Sequence, residues 1–485
     1  MPQMLKYKSI ILSILFVLAV FLICFRFTST PKVWVDEGVF TETAKNLAWH
    51  GTLGLQTAPG QFFSMRNFLL STSYPVIAPV AVSFNLFGTG LWQARLPMLI
   101  YMFGLVVAFY LFTKTRYGFN AALPSVLLLL SFSPFYGNGR PVQGEVPGLF
   151  FLVLGAWLLL LWEESGFSKK KLAILSGLSL GLAAATKPIF LVGISLALII
   201  SIIFWLKKIK SRKIILYLAI GFILPVLLWC FIHFPTAKDL SLFVSNFLYF
   251  SGTHESNIPL FWTVFVNLSK FITESTPILF TLLSLAVISP IAYKLYKKES
   301  LKISISEFLI LCFIILNWTG FLMGTGWYRY IFPAHTLLYL LFPAAILCLA
   351  GIAKSKFLGK LLLTIPIILI IFQFTHLAFF SDTSFTANRT RNTELATALS
   401  KVDTSEKVFF YGSIEAVVFY QGDNYHQYLD MGFLKAGDEN ALAHSSYDVI
   451  LTDASLKDSA LLSTCYDSRQ IDRYFLFQNK KQCER

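Results

Sequence analysis

The sequence predicts an all-α polytopic membrane bundle of about 11 transmembrane helices over residues 1–380, followed by a small α/β soluble domain over 381–485. Three observations lead there. Of 485 residues, 56% are hydrophobic and 14% charged, whereas a soluble domain carries roughly 25% charged residues. Eleven apolar segments approach or reach the ~20 residues that a bilayer core requires: 9–27, 95–113, 118–135, 146–162, 172–186, 189–206, 214–232, 275–293, 304–322, 333–352 and 361–380. The connecting loops alternate in charge. One set, at residues 6–8, 114–116, 169–171, 207–213, 294–302 and 354–360, carries 19 Lys and Arg against Glu163, Glu164 and Glu299. The positive-inside rule makes that set cytoplasmic. The N-terminus is then cytoplasmic, and eleven crossings leave the C-terminal domain outside an integral plasma (inner) membrane. The net charge of +14 is read as a topology signal, with the lipid bilayer as partner and no nucleic acid.

Segment 9–27 has the apolar core of a signal peptide, but no small-x-small cleavage site follows it, so it is expected to remain as an anchor. The first external loop, 28–94, opens with Val33-Trp34-Val35-Asp36-Glu37-Gly38. Asp36 suits a helix N-cap, Glu37 suits the first turn, and the helix is expected to run to about His50 with Gly51 closing it. A capped helix end is also a rigid mount for a carboxylate. The apolar stretch from Tyr74-Pro75 to Phe87-Gly88 is too short to span and carries two prolines, which fits an interfacial helix. Arg95-Leu96-Pro97 then leads into the second span.

The later external loops hold isolated polar groups. Arg140 to Glu145 joins the third and fourth spans, Thr186-Lys187-Pro188 joins the fifth and sixth, and Trp327-Tyr328-Arg329-Tyr330 precedes the tenth. The second large loop, 233–274, holds Lys238, Asp239, His254 and Glu255, with further interfacial helices expected at 240–250 and 261–272. Locally these residues read as caps, snorkelling cations and belt anchors. Together, Asp36, Glu37, Glu145, Lys187 and Arg329 fall on one side of the membrane near one depth, which marks a functional site. His233, His254, His335 and His376 lack zinc spacing. The tail carries 11 Lys and Arg against 15 Asp and Glu, and β-like runs at 408–411, 416–420, 449–452 and 474–477. Cys465 and Cys483 lie in this tail, where an oxidising compartment permits a disulfide.

In this order along the chain, the Asp36-Glu37 pair, the proline-bearing stretch ending in Phe87-Gly88, Arg95-Leu96-Pro97, Glu145, Thr186-Lys187-Pro188, Arg329-Tyr330 and the soluble tail resemble the C-type-fold (GT-C) integral-membrane glycosyltransferases. The likeness is to the protein O-mannosyltransferase and aminoarabinose transferase superfamily, over residues 9–380. The resemblance implies an inverting transfer of a sugar from a polyprenyl-phosphate donor to a hydroxyl of a glycolipid, polysaccharide or protein acceptor. It implies Asp36 as the base, with Glu37 orienting the acceptor or the first helix turn. Glu145 becomes a second acceptor contact or a ligand of a divalent cation. Arg329 and Lys187 are the cations for the donor phosphate, Arg140 and Arg95 serve the same anion or pair the carboxylates, and Tyr74 and Tyr330 are the substrate contacts. Two features depart from the family pattern. Tyr74-Pro75-Val76 stands where the family often has His-Pro-Pro, and Glu145 follows Arg140 by five residues where an Asp soon after an Arg is usual. A flippase of lipid-linked sugars predicts inverted repeats and charges at mid-bilayer depth, and a polysaccharide polymerase or ligase predicts a large late loop. The sequence shows neither pattern.

Overall fold

The computed structural model describes all residues except 1, 67–71, 206–211, 242–258, 301, 385, 387–390, 432–434, 445, 453–461, 463–464 and 481–485. His254, Glu255, Cys483 and most of the expected 240–250 helix lie outside the described residues. The helices up to the first large break are α1 (Pro2–Cys24), α2 (Val35–His50), α3 (Tyr74–Phe87), α4 (Leu91–Tyr117), α5 (Phe119–Ser131), α6 (Ser133–Gly139), α7 (Glu145–Glu164), α8 (Lys170–Thr186), α9 (Pro188–Trp205) and α10 (Arg212–His233). A hairpin of β1 (Gly54–Ala58) and β2 (Gln61–Ser64) interrupts them. The bundle continues with α11 (Leu260–Thr273), α12 (Ser275–Tyr296), α13 (Ile305–Met323), α14 (Tyr328–Ile352) and α15 (Lys356–Phe379).

Every expected span falls on helix. Among the described residues, nine helices are long and apolar enough to cross a membrane. The expected 118–135 span is a broken pair, α5 and α6, bent by 64°. Phe132 turns extended between them, and Pro134 lacks the amide to continue the first ladder but suits the first turn of a new helix. The fifth span, α8, has 17 residues. It packs backbone to backbone on α10: a Cβ on Gly177 would lie 2.1 Å from the Leu218 carbonyl oxygen, one on Gly181 2.4 Å from that of Phe222, and one on Gly221 2.3 Å from that of Ile174. Small residues are what permit such an approach between apolar helices. Gly181→Leu is expected to force the pair apart, at a cost of roughly 1–3 kcal/mol or more. A wild-type thermal midpoint in detergent would contradict this.

Two cores organise the molecule. The first fills the bundle with side chains such as Phe109, Phe112, Leu129, Leu149, Phe190, Phe313 and Tyr339, all fully enclosed. Ile199, Ile203, Phe204, Phe231, Ile367 and Phe372 face outward, as helices solvated by lipid require. The second core joins the first loop to the C-terminal region: Phe40 and Ala44 of α2 and Val76, Ile77 and Val80 of α3 pack in one cluster with Val408, Phe410, Tyr425 and Leu451. Bundle ends near Arg95, Arg140, Lys187, His233 and Arg329 meet this layer. At the opposite end, Arg116 pairs with Glu307 at 2.6 Å, and Ser304 and Glu307 close a capping box at the start of α13.

The C-terminal region contains α16 (Arg391–Leu399), β3 (Val408–Tyr411), α17 (Ile414–Val417), β4 (Tyr425–Asp430), β5 (Lys435–Ala436), α18 (Ala441–His444), β6 (Val449–Thr452), β7 (Tyr466–Ile471) and β8 (Tyr474–Asn479). The sheet order is β5-β4-β3-β6-β8-β7. Strand β3 pairs in parallel with β4 and β6, while β8 runs antiparallel to both β6 and β7. The expected strand at 416–420 is instead a helical turn and its exit, because a short apolar run enclosed on all sides carries no period to separate strand from helix. Strands β4 and β7 were missed, their sequences (Tyr425-His-Gln-Tyr-Leu-Asp and Tyr466-Asp-Ser-Arg-Gln-Ile) being too polar to read as β runs. Cys465 is disulfide-bonded.

Candidate active site

Helix α2 starts at Val35 with Trp34 as its extended N-cap residue and ends at Gly51 in the left-handed region, φ 65°. Asp36 is thus a first-turn residue and not the cap expected from sequence. Its Oδ2 accepts a hydrogen bond from Arg329 Nη1 at 2.5 Å. The Asp36 side chain is 30% exposed, so it keeps an open approach while being partly desolvated. Arg329 is the second residue of α14, and its guanidinium lies 5.0, 4.7 and 5.2 Å from the ring centroids of Trp34, Trp327 and Tyr330. Rings around a guanidinium contribute about 0.5–2 kcal/mol each, depending on desolvation, and they hold the group without using its N–H donors. The turn that delivers it is braced from α11: Asn267 Nδ2 donates to the carbonyls of Phe321, Leu322 and Gly324, and Lys270 Nζ donates to that of Gly326 at 2.8 Å.

A second ion pair lies beside the first. Glu145 opens α7, and Lys187 stands in extended backbone between α8 and α9. Lys187 Nζ donates to Glu145 Oε1, and Glu145 Oε2 is buried without a hydrogen-bond partner among the described residues. The Tyr330 ring centroid is 5.6 Å from Lys187 Nζ, so Tyr330 touches both cations, and Glu145 lies within electrostatic range of Arg329. The result is two carboxylates and two cations around one tyrosine, with Asp36 the carboxylate more open to solvent.

The other expected site residues are placed differently. Glu37 and Arg95 are fully enclosed and form a bidentate pair, Nε to Oε1 and Nη2 to Oε2, both at 2.7 Å. The remaining Arg95 N–H groups donate to the carbonyls of Phe27, Thr30 and Pro31. With both oxygens of Glu37 and the N–H groups of Arg95 engaged, the pair clamps the chain entering α2. Arg140 holds the same segment: Nη1 donates to the Thr30 carbonyl and hydroxyl and Nη2 to the Leu22 carbonyl. Tyr74 donates its hydroxyl to the Pro225 carbonyl at 3.2 Å, so it ties α3 to α10. Glu37→Gln leaves Arg95 buried without its countercharge, which costs roughly 3–5 kcal/mol. Thermal unfolding in detergent checks this, and an unshifted midpoint would count against the clamp.

Among the described residues no group of three or more His, Cys, Asp and Glu gathers, and Lys187 occupies Glu145. The donor set that a divalent cation needs is therefore not assembled at Glu145, and no step below runs through one.

Sequence reasoning passed over four residues. His233, set aside as structural, bonds Ser73 Oγ through Nε2 and the Arg66 carbonyl through Nδ1, both at 2.6 Å. Ser73 N in turn donates to the Thr186 carbonyl, one residue from Lys187. Glu42 and Lys45 of α2 are buried against the C-terminal sheet. Asn392 accepts from Val33 N and donates to the carbonyls of Thr28, Ser29 and Pro31. A helix whose acidic and basic residues both fall on its packed face was the one available signal for Glu42 and Lys45. Asn392 carries none.

The sequence profile of the dolichyl-phosphate-mannose-protein mannosyltransferase family matches residues 76–229. No curated protein matches the chain in sequence. In structure it is similar to ArnT from Cupriavidus metallidurans bound to undecaprenyl phosphate, with a TM-score of 0.66 at 10% identity over 98% of both chains. The chain has the C-type (GT-C) fold of these glycosyltransferases. The C-type fold extends to a more distant likeness, the Archaeoglobus fulgidus oligosaccharyltransferase in complex with Zn and sulfate, at TM-score 0.55 and 11% identity over 97% of this chain and 73% of that one. Likeness to ArnT covers the bundle and the C-terminal sheet together, so the C-type fold here includes both cores.

Proposed function

We propose that the protein transfers a sugar from a polyprenyl-phosphate donor to an acceptor hydroxyl, with inversion, at the outer edge of the membrane. The observation that carries this reading is the Asp36–Arg329 pair set beside Lys187 and Glu145 at one end of the bundle. The acceptor oxygen attacks the anomeric carbon as Asp36 takes its proton. The bond from that carbon to the phosphate oxygen breaks, and polyprenyl phosphate leaves with the electron pair. Arg329 and Lys187 stabilise that leaving anion, the forked guanidinium matching two phosphate oxygens. A phosphate anion offers Arg329 the same geometry as a carboxylate, so donor binding competes with Asp36 for the guanidinium and leaves the carboxylate freer to act as base. Tyr330, between the two cations, lines the phosphate site. Structurally similar proteins that bind undecaprenyl phosphate and dolichol phosphate support a lipid-phosphate donor. The acceptor is a hydroxyl of a glycolipid, a polysaccharide or a protein.

Charge asymmetry of the loops supports an extracytoplasmic site. Lys401 is exposed on the C-terminal domain. Lys401→Cys is expected to react with a membrane-impermeant maleimide in intact cells, and reaction only after permeabilisation would overturn this topology. Transfer of label from a polyprenyl-phosphate hexose or pentose by the purified protein tests the reaction itself.

A further inference from the structure

Helix α2 has two faces with different partners. At about 100° per residue, Gly38, Glu42 and Lys45 fall within about 60° of one another, whereas Asp36 lies about 200° around the helix from Gly38. The first face meets the C-terminal domain throughout. A Cβ on Gly38 would lie 2.8 Å from the Ile414 carbonyl oxygen and 2.9 Å from Glu415 N and Cα, so the backbone of α17 rests directly on the helix two residues after Asp36. One turn on, Glu42 Oε1 accepts three hydrogen bonds: from Gln56 N at 2.9 Å, Tyr425 Oη at 2.9 Å and Gln427 Nε2 at 2.7 Å. Lys45 Nζ donates to the Gly422 carbonyl at 2.8 Å and lies 4.5 Å from the Trp49 ring centroid and 4.9 Å from that of Tyr425.

Glu42 therefore joins three pieces of chain: the helix carrying Asp36, the β1 strand of the first loop, and the β4 strand of the C-terminal sheet. Gln56 Nε2 adds bonds to the carbonyls of Asp423 and Tyr425 across the same junction. Burial pushes the Glu42 carboxyl up to about 7, which suits the other oxygen, Oε2, being enclosed without a hydrogen-bond partner among the described residues. Asn392, on α16, staples the chain just ahead of Trp34. None of these groups is on the side of α2 that bears Asp36, so any influence on the reaction passes through the placement of the helix.

We propose that the C-terminal domain sets the position of Asp36, with Glu42 as the positioning residue through which the sheet holds α2, so that turnover depends on this contact while donor binding does not. The inference rests on the reading of Asp36 as base. Displacing a reacting group by about 1 Å can cost up to about 10²-fold in rate, and the donor-phosphate cations stand on α14 and at the α8–α9 turn, outside this junction.

The test uses the full-length purified protein with polyprenyl-phosphate hexose as substrate, inorganic and polyprenyl phosphate as binding probes, and hydrogen–deuterium exchange over residues 35–40. Glu42→Ala is expected to lower kcat about tenfold or more, to leave the donor KM and polyprenyl phosphate affinity within about twofold, and to speed exchange at 35–40. Glu42→Gln, which keeps the acceptor oxygen, is expected to restore wild-type kcat. If Glu42→Ala fails to fold, Tyr425→Phe and Gln427→Ala, which each remove one donor, are expected to give smaller losses of the same kind. Wild-type kcat and exchange in these variants would overturn the proposal, as would Glu42→Gln falling as far as Glu42→Ala, or donor affinity falling in step with kcat. Asp36→Asn, run in parallel, separates the two claims. If it retains turnover the base reading fails, whereas an inactive Asp36→Asn with a fully active Glu42→Ala sinks only the positioning role.

Discussion

Asp36→Asn is expected to lower the rate of sugar transfer by about 10²–10⁴-fold, the range that a positioned general base contributes. Asparagine keeps the shape of the side chain and an oxygen to accept from Arg329, so helix α2 and its neighbours should stand unchanged. What it loses is the ability to take the acceptor's proton. The environment supports the role. Asp36 is partly enclosed at the end of a helix clamped from behind by the Glu37–Arg95 pair, and it is the more open carboxylate of the two in the site, since Glu145 is 2% exposed and held by Lys187. Polyprenyl phosphate affinity measured on the same variant should match or exceed that of the wild type, because Asn competes less well than Asp for Arg329. Unimpaired turnover would remove Asp36 from the role of base.

Arg329→Ala is expected to lower kcat/KM for the donor by about 10²–10³-fold, the loss seen when one donor to a developing anion is removed. The guanidinium is enclosed by three aromatic rings and its Nε has no hydrogen-bond partner among the described residues, so it is held in place with donor capacity to spare. Arg329→Lys keeps the charge but loses the fork and much of the ring stacking, and should bind polyprenyl phosphate more weakly than wild type but better than Arg329→Ala. Equal affinity in all three proteins would place the phosphate elsewhere.

The spans were legible because a bilayer demands about 20 apolar residues per helix. The break at Phe132 was not, since an apolar run reads the same whether straight or bent. Within the site, Asp36, Glu145, Lys187, Arg329 and Tyr330 come together as the order of motifs implied. Arg95 and Arg140 were expected on the same anion or on the carboxylates; Arg95 meets Glu37, and both meet backbone carbonyls. Which anion or carbonyl an arginine meets is decided by the turn at residues 27–31, whose carbonyls converge on both guanidinium groups, and nothing in that segment's composition signals it. The role of the tail was hidden for a different reason. It reads as a separate soluble domain, yet its apolar residues complete the core beneath α2 and α3, a long-range pairing that local patterns do not carry. Glu42 and Asn392 gain their roles only from that pairing.

The most direct measurement is a transfer reaction with purified protein in proteoliposomes, supplied with a polyprenyl-phosphate sugar labelled in the sugar and with solubilised membrane acceptors, followed by analysis of both products. The account predicts label in a new glycosidic bond of inverted anomeric configuration, an equal amount of free polyprenyl phosphate, and neither product with Asp36→Asn. Retained configuration, or intact lipid-linked sugar moved across the bilayer with no new glycosidic bond, would contradict it.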